Sequence, residues 1–594
     1  MIPLNNKSLK KKIIKIIKVD WNDRKTNSDI ISILNFIVEN EVKIRESYFQ
    51  LIQSISKKKI NGKSLSSYYK YNVDYNLWNM SNVYESSFYK SPQITNIIKF
   101  LALEMIISKN NPNKIILLEL PVELNEIVRG YCSKSKIYFE LKKQKKRKFN
   151  IRFIKTSIFL KGLLFYFRKL FTNLLSFNNK ADYFLETNNS FIISYLTHID
   201  KEKISKKYYG TGLWGNLPEL IKKFNIKINW LHIPVDFKSS DHLFVKLNIK
   251  RSNNSVRHNF IFSFLDIKSW LEILKDYFLY VYRGSKINTK DFFNYKNMTN
   301  LFPLFEIDFV SSTGGAVLIE NLIFIKSFDN LFSSIPNQKI GFYLQENQGW
   351  ELALNNAWRR YNHGKLISVQ HTTVSFWDLR YDNKFRYKDC NHSPYMFVVN
   401  SELAKYHFKN LNYDENQVYL FEALRYLDLK HKDNGMNNKD KILILGDIMK
   451  QTTLDMLEIV YKTIMDTEDK TIKFKSHPAQ PIKINANRQD IETIDEPLSD
   501  ILLNFNTVIC PASSGAAVES FYGNLNTIVF VSRGELNTSP LKDSKDVKFF
   551  SNSKELKSAM DKRNERNERS KRNEILLIDK KTPKWNKFLK NIYK

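Results

Sequence analysis

Four short apolar runs, KILILG, TIKFK, TVIC and TIVFV, all beyond residue 440, constrain the fold more than any other feature of this 594-residue chain. They alternate with QTTLDMLEIVYKTIMD, PLSDILLNF and SGAAVESFYG, whose apolar residues recur at helical spacing. Continuously apolar strands separated by helices predict a parallel sheet covered on both faces. Each run discharges into a polar loop, and doubly wound sheets bind ligands just beyond the carboxyl ends of their strands. A looser series, SFIISYLT (190–197), KINWLHI, KIGFYLQ, KLISVQ and YMFVVN, predicts a second parallel sheet earlier in the chain.

The chain is too long for one core of ordinary size, so two large domains with extensions are expected. Hydrophobic residues make up 43% of it and Gly plus Pro only 32 positions, which argues for folded protein rather than long flexible linkers. Residues 1–140 are expected to form a mainly helical N-terminal extension, with LNFIVENEVKIRESYFQLIQ and ITNIIKFLALEMII as amphipathic helices and IILLEL (115–120) as a buried strand. Residues 141–180, opening with KKQKKRKFN and running to Phe177, form a basic amphipathic segment. Two Rossmann-like units follow, 181–430 and 431–550, and residues 551–594 make a charged helix and a basic tail.

The formal charge of +32 partly reflects a Lys, Asn and Ile bias of the kind an AT-rich genome produces. The remainder favours polyanions, nucleotide-activated substrates or an anionic membrane surface. No zinc-knuckle spacing or aromatic RNP-like motif is present, so a nucleic acid partner is not expected. Cys132, Cys390 and Cys510 are far apart and odd in number, which suits a reducing compartment and offers no metal-site spacing. The N-terminal lysines interrupt every apolar piece, so no signal peptide is expected, and no stretch of spanning length is free of charge. The segment 141–180 has two readings: an interfacial helix on anionic lipid, or a solvated basic loop followed by a buried helix.

TVICPASSGAAVES joins a strand, a turn and a helix of small residues. A helix starting at Ser513 to Gly515 would offer free N–H groups and a partial positive charge to a phosphate, with Ser513 and Ser514 adding hydroxyls and Glu519 one turn further on. The competing reading is plain N-capping by serine. In TIKFKSHPAQP, Pro478 fixes the turn after His477, which would aim the imidazole across the same sheet edge with Lys475 beside it. A strand-end histidine is also an ordinary structural residue, so the pairing with Ser513, Ser514 and Gly515 is what suggests a nucleotide clamp.

A His-Pro pair after one strand, followed by Ser-Ser-Gly opening a later helix with Glu inside it, resembles the nucleotide-binding half of GT-B glycosyltransferases. The CMP-sugar users, bacterial sialyltransferases and Kdo transferases, are the nearer match. The stretches YLTHIDKE, LWGNLPELIKK, INWLHI, YLQENQGWELALNNAWR, GKLISVQHTTVSFWDLRY and KSHPAQP are also similar to bacterial surface carbohydrate biosynthesis proteins from O-antigen clusters. The resemblance implies two Rossmann-type domains facing a cleft, with acceptor in 181–430 and nucleotide-sugar donor in 431–550. It further implies that Lys475, His477, Pro478, Ser513, Ser514, Gly515 and Glu519 serve the nucleotide.

Transfer to a sugar hydroxyl with inversion requires one base within hydrogen-bond reach of the acceptor. Three candidates compete: Glu346 in GFYLQENQGWE is the first choice, His371 in KLISVQHTT, which looks like the Gln-His loop of several GT-B enzymes, the second, and Asp200 after SFIISYLT the third. For Glu346 the alternative is a carboxylate stabilised at a helix start, and for His371 a nucleotide or acceptor contact. Asn347 and Gln370 are expected on the acceptor, as are Gly210 and Gly212 of GTGLWG, a run too far from its strand and too bulky at Leu213 and Trp214 for a dinucleotide turn. No metal or cofactor is implied. The expected function is glycosyl transfer to a surface-polysaccharide or O-antigen acceptor, glycan or lipid-linked, in the cytoplasm or peripherally on the inner face of the cytoplasmic membrane. The rivals are a CDP-polyol phosphotransferase and a non-catalytic glycan-binding protein of the same fold.

Overall fold

The computed structural model describes residues 15–24, 27–72, 75–142, 152–176, 190–197, 199–200, 203, 209–234, 256–382, 393–430, 441–464, 471–482, 491–561 and 574–593. Among them lie two large parallel sheets with helices on both faces. The middle sheet has seven strands, ordered Val418–Leu420, Met396–Val399, Lys365–Gln370, Ile340–Gln345, Ser190–Tyr195, Ile228–Ile233 and Val256–Phe260. The C-terminal sheet has six, ordered Glu492–Thr493, Thr471–Lys475, Lys441–Leu445, Thr507–Pro511, Asn526–Phe530 and Lys548–Phe550. Every pairing in both is parallel.

Both sheets share one winding. The chain starts in the middle, lays two strands to one side, returns, and lays the rest to the other, which is the doubly wound Rossmann order. Each therefore has a point where successive connections leave in opposite directions and open a crevice. In the middle sheet it lies between Ser190–Tyr195 and Ile340–Gln345; in the C-terminal sheet, between Lys441–Leu445 and Thr507–Pro511. The two-sheet arrangement with a cleft is the one expected.

Strand alternation decides which side chains face which layer. In the C-terminal sheet Leu443, Leu445, Val508 and Cys510 pack on one face, and Ile442, Ile444 and Ile509 on the other. In the middle sheet Ile192, Phe342, Leu344, Ile367 and Val369 face one layer, while Phe191, Ile193, Tyr343 and Phe397 face the large core shared with the N-terminal block.

That N-terminal block differs from expectation. The two predicted amphipathic runs are helical, as Ile33–Glu39, Glu41–Lys57 and Ile94–Asn110. Yet the block also carries a four-stranded parallel sheet of its own, ordered Ile30–Ser32, Ile16–Asp20, Lys114–Leu118 and Tyr138–Lys142, of which only the third strand was legible. IIKVD lies beside lysines that mask its strand character in the sequence, and pairing with the buried Ile115 and Leu117 overrides that.

The C-terminal end is a second correction. WNKFLKNIYK is not a loose basic tail: it lies in the helix Pro583–Tyr593, whose Trp585 and Leu589 are fully buried in the core of the middle sheet. Trp585, Phe588, Leu589 and Ile592 fall at helical spacing on one stripe. The Glu422 carboxylate accepts from the N–H groups of Lys584 (3.1 Å) and Trp585 (3.2 Å), anchoring the helix start. Residues 562–573 lie outside the described residues, as does the basic run KKQKKRK apart from Lys142. No single described helix is long and apolar enough to cross a membrane. The bent pair Phe302–Gly314 and Ala316–Ser334 passes that test only jointly, and most of its large apolar side chains are buried in the core.

Candidate functional site

The middle-sheet crevice is filled by a closed set of polar contacts. Tyr195 ends one of its strands and Glu346 follows the other, and the Tyr195 hydroxyl donates to Glu346 Oε2 at 3.2 Å. That hydroxyl also accepts from Trp350 Nε1 (2.9 Å) and Gln348 Nε2 (3.2 Å), and Gln348 Nε2 donates to Glu346 Oε2 as well. The loop takes this shape because Asn347 adopts a left-handed backbone (φ 55°), which asparagine tolerates, and because Glu351 Oε1 accepts from the backbone N–H of both Glu346 and Gln348, each at 2.9 Å.

From the neighbouring strand Lys365–Gln370 comes His371, whose Nε2 lies 3.3 Å from Glu346 Oε1. Burial would raise the Glu346 carboxyl. The hydrogen bond and charge of His371, the Arg380 guanidinium and the Gln348 amide together outweigh it and hold the group down at about 2. Arg380 in turn is locked by Asp378, both of whose carboxylate oxygens accept at 2.8 Å. Burial would lower the Arg380 guanidinium, but this pairing holds it well above its ordinary value. Glu346 is thus a fixed anion with both oxygens engaged. His371 Nδ1 is buried and has no hydrogen-bond partner among the described residues.

At the C-terminal switch point the residues are fewer and more open. The turn His477-Pro478-Ala479-Gln480 closes with Gln480 N–H donating to the His477 carbonyl at 2.9 Å, proline occupying the second position that its fixed φ suits. Ala479 N–H donates to His477 Nδ1 at 3.1 Å, so in the neutral ring the proton sits on Nε2, which is left as a donor. Burial lowers the His477 imidazole, with Asp447 partly offsetting it, which favours that neutral form. Asp447 follows the central strand. It accepts from the Ser513 hydroxyl through Oδ2 and from Met449 N–H through Oδ1 at 3.0 Å. Ser514 Oγ accepts from Ala516 N–H at 3.2 Å across the N-cap Gly515, so its hydroxyl is engaged with the start of the helix.

The two switch points open into one cavity of about 920 Å³. It brings together Glu346, His371, His477, Ser513, Ser514 and Gly515. It also exposes Gln348, which with Asn347 was expected to orient the acceptor, and side chains that sequence reasoning missed: Tyr195, Arg380, Arg425 and Asp447, with Tyr89 and Lys90 from the N-terminal block. Tyr89 donates to the Ser513 carbonyl at 3.3 Å, and Lys90 Nζ donates to Gln348 Oε1 at 3.0 Å while pairing with Glu85 at 2.8 Å. Asp447 was detectable in one respect, since it lies two residues past the end of the strand Lys441–Leu445.

The remaining candidates do not border this cavity. Asp200 Oδ1 accepts from Lys203 N–H at 2.9 Å and its own N–H donates to the Gly210 carbonyl at 3.0 Å, which makes it a turn residue. Gly210 lies in that turn, and Gly212 is exposed next to it. In the same run Gly215 is the glycine the backbone requires: its φ is +49°, and a Cβ there would lie 2.3 Å from the Leu424 carbonyl. Asn347 is buried with its amide donating to Tyr413 Oη at 3.1 Å, and Gln370 donates to the Thr372 carbonyl at 2.6 Å; both shape loops instead of facing an acceptor. Lys475 Nζ donates to the Asp495 carbonyl at 3.1 Å, Pro478 builds the turn, and Glu519 sits beside Arg425, its carboxyl raised by burial and partly restored by that arginine. Among the described residues no group of three His, Cys, Asp or Glu side chains is arranged to hold a metal.

Fold and site together define a two-sheet α/β protein whose cleft faces a buried carboxylate–imidazole pair across from an open serine and histidine edge. No protein-family model and no curated protein sequence matches the chain. Among solved structures it is similar to a UDP-GlcNAc 2-epimerase from Neisseria meningitidis, solved bound to UDP-GlcNAc, with 10% identity over 68% of this chain and 99% of that one and a TM-score of 0.35. It is similar to MurG of Acinetobacter baumannii at the same identity and coverage with a TM-score of 0.35, and to TarM at 8% identity over 69% of this chain and 95% of that one, TM-score 0.34.

Proposed function

We propose that this chain is a glycosyltransferase that moves a sugar from a nucleotide-activated donor, a CMP-sugar by preference, to a surface-polysaccharide or O-antigen acceptor. The observation that carries the reading is the single cavity that sets His477, Ser513 and Gly515 of one sheet edge against the Glu346–His371 pair of the other. An acceptor hydroxyl attacks the anomeric carbon, the bond from that carbon to the nucleotide phosphate breaks, and the phosphate leaves with the electron pair. The hydroxyl proton goes to His371 Nδ1, which is buried in the free protein and which entry of the acceptor has to uncover. Glu346, held near a pKa of 2, is too weak a base for this step; its carboxylate fixes the imidazole proton on Nε2 and leaves Nδ1 as the acceptor.

On the donor side His477 Nε2–H and the Ser513 turn meet the phosphate. The Asp447 carboxylate disfavours an anion placed directly on Ser513, so the phosphate is drawn toward Arg425, which borders the same cavity. The test is a thermal-shift panel of CMP, CDP and UDP on the whole protein, because a ligand that binds only the folded state raises its melting temperature. CMP is expected to give the largest shift. A shift with CDP alone favours the polyol phosphotransferase, and none with any nucleotide removes the enzyme reading.

A further inference from the structure

Helix Arg152–Ser176 lies antiparallel against helix Ile267–Ser285. Tyr166 Oη donates to the Trp270 carbonyl at 2.8 Å, Asn173 Nδ2 to the Leu265 carbonyl at 3.3 Å, and the rings of Phe159 and Tyr277 stack with centroids 5.8 Å apart. Tyr166, Lys169 and Asn173 face inward, and Lys169 borders the cavity. The outward side of this first helix is apolar. Leu160, Leu164, Phe167, Phe171 and Leu174 recur every three or four residues and are exposed, Leu164 to 69%. The second helix repeats the pattern with Ile267, Leu271, Phe278 and Tyr282, Ile267 at 68%.

We propose that these two stripes form a docking surface for an anionic lipid bilayer. Two such rows of large exposed side chains, on helices that touch through Tyr166–Trp270 and Phe159–Tyr277, are of a kind soluble surfaces rarely keep uncovered. The exposed charges on the two helices are mostly basic: Lys161 and Arg168 on the first, Lys268 and Lys275 on the second, with Lys286 just past its end. The acidic groups nearby are engaged within the protein, Glu272 with Lys326 at 2.6 Å, Asp276 as acceptor from Tyr71 at 2.5 Å and Asp266 as the helix cap. Apolar residues rimmed by lysine complement an anionic leaflet, into which the former insert while the latter meet headgroups. A second copy of the chain fits less well, since a two-fold contact would set each basic rim against its own equivalent. The inference goes beyond the transfer reading and does not depend on it, although the inner side of the same helix carries a residue of the cavity wall.

The experiment is co-sedimentation of the full-length protein with vesicles of equimolar phosphatidylglycerol and phosphatidylcholine, and with phosphatidylcholine alone, alongside light scattering and thermal melts. Pelleting with the anionic vesicles at low salt is expected, weakened about tenfold or more on neutral vesicles and by either Leu164→Glu/Phe171→Glu or Leu271→Glu/Phe278→Glu at unchanged melting temperature. Lys161→Gln/Lys275→Gln, at exposed positions, should weaken it several-fold and serves if the first variants misfold. Absence of pelleting at low salt overturns the proposal, as does full binding by all three variants. So does a dimer that the apolar variants split, which places protein rather than lipid on this face.

Discussion

The middle and C-terminal sheets share one strand order and finish their switch points in opposite ways. At the middle sheet Tyr195, Glu346, Gln348, Trp350 and His371 bond to one another and hold the crevice rigidly, with His371 Nδ1 left without a partner among the described residues. At the C-terminal sheet the turns at His477 and Ser514 close on their own backbones and leave His477 Nε2 and the Ser513 turn facing the cavity. A group that must take up a proton at one atom gains from a rigid surround, because its tautomer and direction are fixed beforehand. A group that must accept and release a ligand gains from having little to give up when the ligand arrives. On the function proposed above, the contrast separates a reacting edge from a binding edge within one architecture.

The largest effect expected from breaking the contrast is at His371. His371→Ala should lower turnover by about 10²–10⁴-fold while nucleotide affinity stays near parental, since a lost base acts on the chemical step. Steady-state rates beside calorimetric titration read this directly, and a weakened nucleotide at parental turnover would move His371 to the binding edge.

Glu346→Gln tests the rigid surround through stability. A carboxyl whose folded value lies below its ordinary one contributes stability above about pH 4.3 and loses it as the pH falls toward its folded value, here about 2. Melts between pH 7 and 2 should show the variant about 3 kcal/mol less stable at the upper end, with the gap closing on acidification. A gap that persists unchanged to the lowest pH would mean that the ionised pair contributes nothing to the fold.

His477→Ala should weaken nucleotide binding by about 1–3 kcal/mol with the melting temperature of the free protein unchanged, because one hydrogen bond to the ligand is lost and the turn itself is held by Pro478. Ser514→Ala is the smallest and the sharpest: a hydroxyl engaged with the helix start predicts about 1 kcal/mol of lost stability and no change in nucleotide affinity. If affinity falls instead, Ser514 belongs to the binding edge and not to its frame.

The strands that carry both edges were legible because burial on two faces leaves nearly unbroken apolar runs, as in KILILG and TVICP. So was the location of Glu346, His371, His477 and Ser513, each of which immediately follows or closely trails a strand. What local pattern could not supply was company. Arg380 and Arg425 come from short turns with no periodicity, and Asp447 looks like an ordinary helix-start residue until the distant Ser513 is seen to donate to it. Gln370, next to His371, points the other way because neighbouring side chains in an extended segment alternate, and Asn347 does so because its left-handed backbone turns its amide to Tyr413. The N-terminal sheet escaped notice for a related reason, since its strand Ile16–Asp20 alternates exposed with buried residues and gains its order from Lys114–Leu118, nearly a hundred residues away.

Tyr89 and Lys90 are consecutive residues, and the first reaches the Ser513 turn while the second reaches Gln348. One peptide unit therefore ties the two halves of the cleft together. Elsewhere the same block is bolted to the C-terminal half by Arg533 with Asp23 and Glu119, and by Lys542 with Glu41. Proteins built from two sheets around a cleft commonly admit and release ligands by swinging one half about a hinge. Here such a swing has to break either the Tyr89 contact or the Lys90 contact, so the N-terminal block opposes a simple hinge between the two halves.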